Sequence, residues 1–269
     1  MLVSIIIKYQ RLTIMFNYFS KSSLQNNQVA LIKIFGEINE NNALIEHALH
    51  TIQILKSTNI HALILHVSGT GGTISVAQEL SAEIRRLAAD VPCKIFTYIG
   101  ESAFSASLYL ALSGDKVFCQ PGSLIGSVGA IIKNKNFEEF YKKIGISQEV
   151  IASSIQKDLL STSRKMSTIE KESLTAAVED IHSQFIQWIE LRRNMNVENI
   201  SDYFDGRIFT GKVAKSIGLV DQFCTISDIL QNIRLENNLT NLPDLTIYEP
   251  KLINNNPLQV LADGFKTLF

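Results

Sequence analysis

A serine-rich turn is the part of the chain best suited to carry out chemistry. Ser102, Ser105 and Ser107 follow an apolar, β-like run at residues 94–99, and an alanine- and leucine-rich helical pattern then extends to about residue 113. A serine between a strand and a helix exposes its hydroxyl, and free N–H groups at the helix start can hold a developing negative charge. The turn is therefore a candidate nucleophile site, although a serine that only caps the helix fits the same pattern.

Strand and helix patterns alternate on either side of this turn. β-like apolar runs at residues 29–35, 62–67 and 94–99 are separated by helical spacing at 42–57 and 74–88. This alternation predicts an α/β fold with a largely parallel sheet covered by helices. The other predicted elements are short helices at 137–144, 211–217 and 226–235, a short strand at 148–152 and a long helix at 167–194.

Composition and charge exclude several classes of function. The 269 residues are 46% apolar and 19% charged, which is typical of a globular protein, and the formal net charge of −1 gives no footprint for nucleic acid. Cys93, Cys119 and Cys224 are odd in number and widely spaced, which argues against a disulfide framework and a zinc site. The histidines have no acidic partner at metal-ligand spacing, so we predict no metal site.

The two ends of the chain differ from its middle. Residues 1–28 form a predicted N-terminal extension in which Lys8 and Arg11 interrupt short apolar runs. Neither run approaches the roughly 20 residues of a membrane-spanning helix, and no small-residue cleavage site follows, so no clear signal peptide or transmembrane helix is expected. The extension could lie on a membrane surface or be flexible. Residues 236–269 are expected to form a tail that docks or is partly flexible.

Several sequence blocks occur together in an order that resembles a known family. They are the glycine-rich turn at 68–72, the Ser105 turn, the run at 121–129, Lys157-Asp158, and the segments at 205–211 and 214–221. Over residues 29–235 this order is similar to the signal peptide peptidase A (protease IV) family of serine peptidases. The resemblance implies one peptidase domain with the β–β–α spiral fold of ClpP-type peptidases and crotonases. It also implies a bacterial-type protein that is membrane-associated or cytoplasmic and assembles as a homo-oligomeric ring.

The resemblance further implies a Ser/Lys catalytic dyad. Ser105 matches the family's nucleophile, and Lys157 matches its general base. A serine hydroxyl needs such a base, and a lysine amine can serve only when it is neutral, which requires its pKa to fall from about 10.4 through burial. The family's oxyanion and orienting positions correspond to Gly71, Gly72, Ala106 and Ser127.

These roles imply peptide substrates, such as remnant signal peptides rich in apolar residues, and neither a metal nor an organic cofactor. Two departures from the family pattern keep other functions open. Residues 68–72 lack the proline of the usual Asn-Ser-Pro-Gly-Gly turn, and residues 105–107 read Ser-Ala-Ser where the family usually has Ser-Gly-Gly. The alternatives are a weakly active or inactive binding or assembly protein on this scaffold, and a crotonase-like acyl-CoA enzyme.

Overall fold

Three long parallel strands form the centre of the computed structural model, which describes residues 28–196 and 198–248. Strand β1 (Gln28–Ile38) is followed by helix α1 (Ala43–Leu55) and strand β2 (Ile60–Gly72). Helix α2 (Ile74–Asp90) then leads to strand β3 (Lys94–Phe104). β2 pairs in parallel with both neighbours, so the carboxyl ends of all three strands meet at one edge of the sheet.

Shorter elements complete the sheet and its helical layers. They are α3 (Ala106–Ala111), β4 (Lys116–Cys119), β5 (Leu124–Gly126), α4 (Glu138–Lys143), α5 (Thr168–Arg193), β6 (Ile208–Thr210), α6 (Gly211–Ser216), β7 (Gln222–Phe223), α7 (Ile226–Glu236) and β8 (Asp244–Tyr248). The strand order is β6-β5-β3-β2-β1-β8, and β4 pairs with β3 and β7. The pairing of β5 with β6 is antiparallel and the others are parallel. This α/β architecture confirms the predicted fold class.

Helices cover both faces of the sheet. On β1, Val29 and Leu31 pack against α7 on one face, whereas Ala30 and Ile32 belong to the larger core under α1, α2, α3 and α5 on the other. Successive residues of a strand point to opposite faces, so a strand buried on both sides is apolar throughout. This explains why the strands appear in the sequence as continuous apolar runs.

The long helix α5 is anchored at its carboxyl end to α3. The Trp188 indole stacks on the Tyr109 ring at 4.9 Å and donates its Nε1–H to the Tyr109 carbonyl at 2.8 Å. Arg192 donates to the carbonyls of Leu112 and Gly114 at 3.0 Å each, which satisfies groups at the end of α3. The helix that follows Ser105 is therefore held firmly by α5.

Three features differ from the predicted elements. Residues 148–152 form no strand and are exposed. β2 and β3 continue past their predicted ends into the glycine- and serine-rich turns, as far as Gly72 and Phe104. In the predicted tail, Asp244–Tyr248 pairs in parallel with β1 and extends the sheet.

The predicted N-terminal extension lies outside the described residues, apart from Gln28. Among the helices of the described ranges, none has the length and apolar character needed to cross a membrane.

Candidate active site

Ser105 occupies a sharp turn between β3 and α3. Its backbone has φ 48° and ψ −122°, a conformation that suits glycine and strains any residue with a Cβ. The Ser105 N–H donates to the Gly126 carbonyl at 2.9 Å, and the Ser105 carbonyl accepts from the Tyr109 N–H at 3.0 Å. The turn is therefore fixed by β5 on one side and by α3 on the other. A serine on such a strand-to-helix turn is the arrangement that exposes a nucleophile in many hydrolases.

The glycine-rich end of β2 lies directly against this turn. A Cβ added to Gly71 would lie 2.9 Å from the Ser105 Cβ and 3.0 Å from the Phe104 carbonyl oxygen, and Gly71 also has a φ of 102°. Both the close approach and the backbone angle require glycine at this position. The same Cβ position lies 3.6 Å from the Ala106 nitrogen. The backbone of Gly71 and the N–H of Ala106 are thus close together beside Ser105.

The Gly71 N–H already has an acceptor inside the protein. It donates to Ser107 Oγ at 3.1 Å, and Ser107 is fully buried. Gly72 packs towards β1 instead, where a Cβ would collide with the Ile38 carbonyl. The Ala106 N–H is at the first position of α3 and has no acceptor within that helix. Sequence reasoning placed Ser107 beside the site but did not foresee its contact with Gly71.

Ser127 lies next to Ser105 because β5 pairs with β3. The register aligns Gly126 with Phe104, so the two residues that follow leave neighbouring strands at the same edge of the sheet. Ser127 also has a positive φ, 53°, and its N–H donates to the Arg207 carbonyl at 2.8 Å. The predicted site residues that the structure brings together at this edge are Gly71, Ser105, Ala106 and Ser127.

Lys157 lies on a turn of the segment between β5 and α5. It belongs to the 3₁₀ turn Ile155–Asp158, and its side chain is exposed. Among the described residues, no hydrogen bond joins Lys157 to Ser105. The turn belongs to residues 129–167, the segment that connects β5 to α5.

An ion-pair network attaches the Lys157 turn to the beginning of α5. Arg164 donates to Asp158 Oδ2 at 2.7 Å and to Glu170 Oε1 at 2.6 Å. Glu170 is fully buried and also accepts from the N–H and hydroxyl of Ser167, at 2.8 and 2.7 Å. The hydrogen bonds from Arg164 and then from Ser167 lower the pKa of Glu170 from 4.5 to about 2.

Sequence reasoning did not single out Arg164. The available signal was the Ser-x-x-Glu capping box of Ser167 and Glu170, which marks the start of α5.

Two anchoring contacts of α5 lie near opposite ends of the helix. Glu170 and Trp188 both lie on α5, and a rise of 1.5 Å per residue separates them by about 27 Å. Trp188 contacts Tyr109, one helical turn after Ser105, whereas Glu170 holds the turn that carries Lys157.

Residues 129–167 also expose an unusual amount of apolar surface. Ile131 is 74% exposed and Ile151 is 96% exposed. The other exposed large apolar residues of this segment are Ile132, Phe137, Phe140, Ile144, Ile146, Val150 and Leu160. A segment with this many exposed apolar side chains is a candidate interaction surface.

The chain is similar to known proteins in sequence and in fold. A profile of peptidase family S49 matches residues 88–240. A candidate protease of Synechocystis sp. is 30% identical over 204 residues, covering 76% of this chain and 72% of the relative. A candidate signal peptide peptidase SppA of Enterococcus faecium is 29% identical over 200 residues, covering 74% of this chain and 57% of the relative.

A solved structure supports the fold. It is that of a membrane-bound stomatin-specific protease, determined as a variant in complex with a substrate peptide, and it superposes with a TM-score of 0.54. The superposition covers 89% of this chain and 100% of the solved chain at 17% identity, a level at which the likeness concerns the fold alone. Taken with the profile match and the sequence relatives, it leads to one assignment. The chain belongs to peptidase family S49 and is a protease of the SppA type.

Proposed function

We propose that the chain is a serine endopeptidase with a Ser105/Lys157 dyad that hydrolyses short hydrophobic peptides, remnant signal peptides among them. The observation that carries this proposal is the backbone of Ser105, a non-glycine residue held at φ 48° and ψ −122°. Strain of this kind costs on the order of 1–3 kcal/mol and is concentrated at functional sites. Here it places a hydroxyl on a strand-to-helix turn beside Gly71 and Ser127.

The proposed reaction is acyl transfer through Ser105. Its Oγ attacks the peptide carbonyl while the neutral Lys157 amine accepts the hydroxyl proton, and the C–N bond breaks as Lys157 returns the proton to the leaving amine. Water then attacks the acyl-serine and releases the second product. The oxyanion would be held by the Ala106 N–H together with the Gly71–Gly72 backbone, and Ser127 would orient the amine.

Assembly with further copies of the chain is part of the proposal. Lys157 is exposed in the single chain, on a segment whose apolar side chains, such as Ile131 and Ile151, also face solvent. Burial against a second copy would remove both from water, which is the condition for a neutral lysine. Because Lys157 is exposed and makes no hydrogen bond to Ser105 among the described residues, we propose that the dyad forms between subunits.

Two variants test the dyad. Ser105→Ala and Lys157→Ala should each abolish cleavage of a fluorogenic alanine- and leucine-rich peptide and leave the thermal midpoint unchanged. Ser57→Ala and Lys56→Ala, on the connection between α1 and β2, are matched controls expected to retain activity. Cleavage by Lys157→Ala at the wild-type rate would refute the dyad.

Mixed assemblies test the subunit arrangement. When Ser105→Ala and Lys157→Ala chains are co-expressed, a dyad built between subunits regains activity, because some sites combine an intact serine with an intact lysine. A dyad within one chain would stay inactive in every mixture. An exclusively monomeric protein in analytical ultracentrifugation that still cleaves peptide would contradict the assembly.

A second candidate function, a weakly active or inactive binding protein on the same scaffold, is favoured by one contact. The Gly71 N–H, which the oxyanion role would require, is donated to Ser107 Oγ at 3.1 Å. Loss of one oxyanion donor costs about 10²–10³ in kcat. Stoichiometric labelling of Ser105 by a fluorophosphonate probe would exclude the inactive form, whereas labelling no faster than that of Ser57 would support it.

A further inference from the structure

The guanidinium of Arg164 joins the turn that carries Lys157 to the first turn of α5. Its Nε donates to Asp158 Oδ2 at 2.7 Å, and its Nη2 donates to the Asp158 carbonyl at 3.1 Å. Towards α5, Nη1 and Nη2 donate to the two carboxylate oxygens of Glu170 at 2.9 and 2.6 Å. A fifth bond joins Nη1 to the Lys165 carbonyl at 3.2 Å. An arginine has five N–H donors, so this side chain has none left over.

Glu170 is the buried residue to which this network is attached. Its carboxylate is fully buried in the first turn of α5, and the Ser167 hydroxyl and N–H hold the oxygen Oε2. A fork-to-fork pair of this kind restricts orientation as well as distance. The other end of α5 is fixed to α3 through Trp188. The network therefore connects the Asp158 turn to a rigid helix rather than to another loop.

Besides the bonds from Arg164, the hydrogen bonds that the described residues make at the Lys157 turn are local backbone bonds, such as Leu159 N–H to the Gln156 carbonyl at 3.3 Å. Residues 151–154, which precede it, are exposed, and Lys157 itself is exposed. Within the turn, the Lys157 N–H donates to the Ser154 carbonyl at 3.1 Å. A short, exposed 3₁₀ turn has weak hydrogen-bond geometry of its own. The bonds from Arg164 to Asp158 therefore connect the residue next to Lys157 to the first turn of α5.

We infer that Arg164 is a positioning residue for catalysis: by clamping Asp158 to Glu170, it holds Lys157 where the amine can meet the nucleophilic serine. This inference rests on the proposed role of Lys157 as general base. Arg164 acts through the backbone of the turn and does not touch the reacting atoms. Misplacement of a catalytic group by about 1 Å costs on the order of 10²-fold in rate. Loss of the clamp should therefore lower kcat and leave KM nearly unchanged.

Arg164→Met is the direct test, because it removes the guanidinium and retains an unbranched side chain. We expect kcat for the fluorogenic peptide to fall about 10²-fold, with a parallel fall in the fluorophosphonate labelling rate of Ser105. Arg164→Lys should recover little, since an ammonium group cannot form the bidentate pair. Guanidinium ion at non-denaturing concentration should restore part of the activity of Arg164→Met. Arg86→Met removes an exposed arginine from α2 and is the control that guanidinium should not affect.

If Arg164→Met fails to fold, Asp158→Asn tests the positioning role of Arg164 instead. It weakens the bond to the turn and leaves the pair of Arg164 and Glu170 in place, so we expect a reduced kcat at an unchanged thermal midpoint. If Arg164→Met or Asp158→Asn has the wild-type kcat while Lys157→Ala is inactive, the positioning role of Arg164 is refuted. The Ser105/Lys157 dyad is then still supported. An active Lys157→Ala would remove the dyad, and the inference with it.

Discussion

Replacement of Ser105 by glycine is expected to stabilise the fold while it abolishes catalysis. At φ 48° and ψ −122° the Cβ of Ser105 is strained, and a glycine is not. The strain relieved is on the order of 1–3 kcal/mol. Glycine also gives the unfolded chain more freedom, which costs about 0.4–1 kcal/mol. The net expectation is a gain of about 1 kcal/mol in the free energy of unfolding.

Ser105→Ala is the matched comparison, because alanine removes the hydroxyl but keeps the Cβ. Neither variant should cleave peptide, so any difference in stability between them reports on the backbone alone. In a chain of this size 1 kcal/mol corresponds to about 2–4 °C in thermal midpoint. We therefore expect Ser105→Gly to melt about that much above Ser105→Ala in scanning calorimetry.

An ordinary glycine substitution supplies the baseline. Ala82 is exposed in the interior of α2, where glycine should lower the free energy of unfolding by about 1 kcal/mol. If Ser105→Gly melts below Ser105→Ala by as much as Ala82→Gly melts below the wild type, the turn is not strained. Backbone strain would then give no support to Ser105 as the nucleophile.

Three further predictions concern the surroundings of the site. Ser107→Gly frees the Gly71 N–H and should raise kcat by up to about 10²-fold, so an unchanged kcat would exclude that N–H as an oxyanion donor. The pKa of Glu170 is depressed from 4.5 to about 2, so its ionised form contributes stability that is complete above pH 4.5 and lost as the pH falls through about 2. The gap in thermal midpoint between the wild type and Glu170→Gln should close over that window, and a constant gap down to pH 2 would contradict the ion pair with Arg164. Phe185→Ala removes a buried ring packed on α3 and should cost about 3–5 kcal/mol in urea denaturation, whereas a loss below about 1 kcal/mol would show that this face of α5 is not core.

Short-range patterns in the sequence were sufficient to predict most of the elements. The apolar runs at 29–35 and 62–67 became β1 and β2, because strands buried on both faces must be apolar at every position. The helical spacing at 167–194 became α5, which begins at the capping box of Ser167 and Glu170. The order of the motif blocks was enough to predict the family, since several blocks in one order are more specific than any single motif.

Strand formation outside the central sheet could not be predicted in this way. Residues 148–152 have the composition of a strand but no partner, whereas Asp244–Tyr248 lies beside the edge of β1 and pairs with it. A strand needs hydrogen bonds from a neighbour, and local sequence does not say where a free edge will be.

The residue types at the candidate site, and the order in which they occur, can be read from the amino-acid sequence alone. The positive φ of Ser105, the position of Ser127 at the same sheet edge and the bond from the Gly71 N–H to Ser107 become apparent only in the folded chain. The tertiary structure also places Lys157 on an exposed turn attached to α5 through Arg164. These contacts join residues that are far apart in the chain. The sheet register and the helix packing bring such residues together, and both depend on the whole fold rather than on a local stretch of sequence.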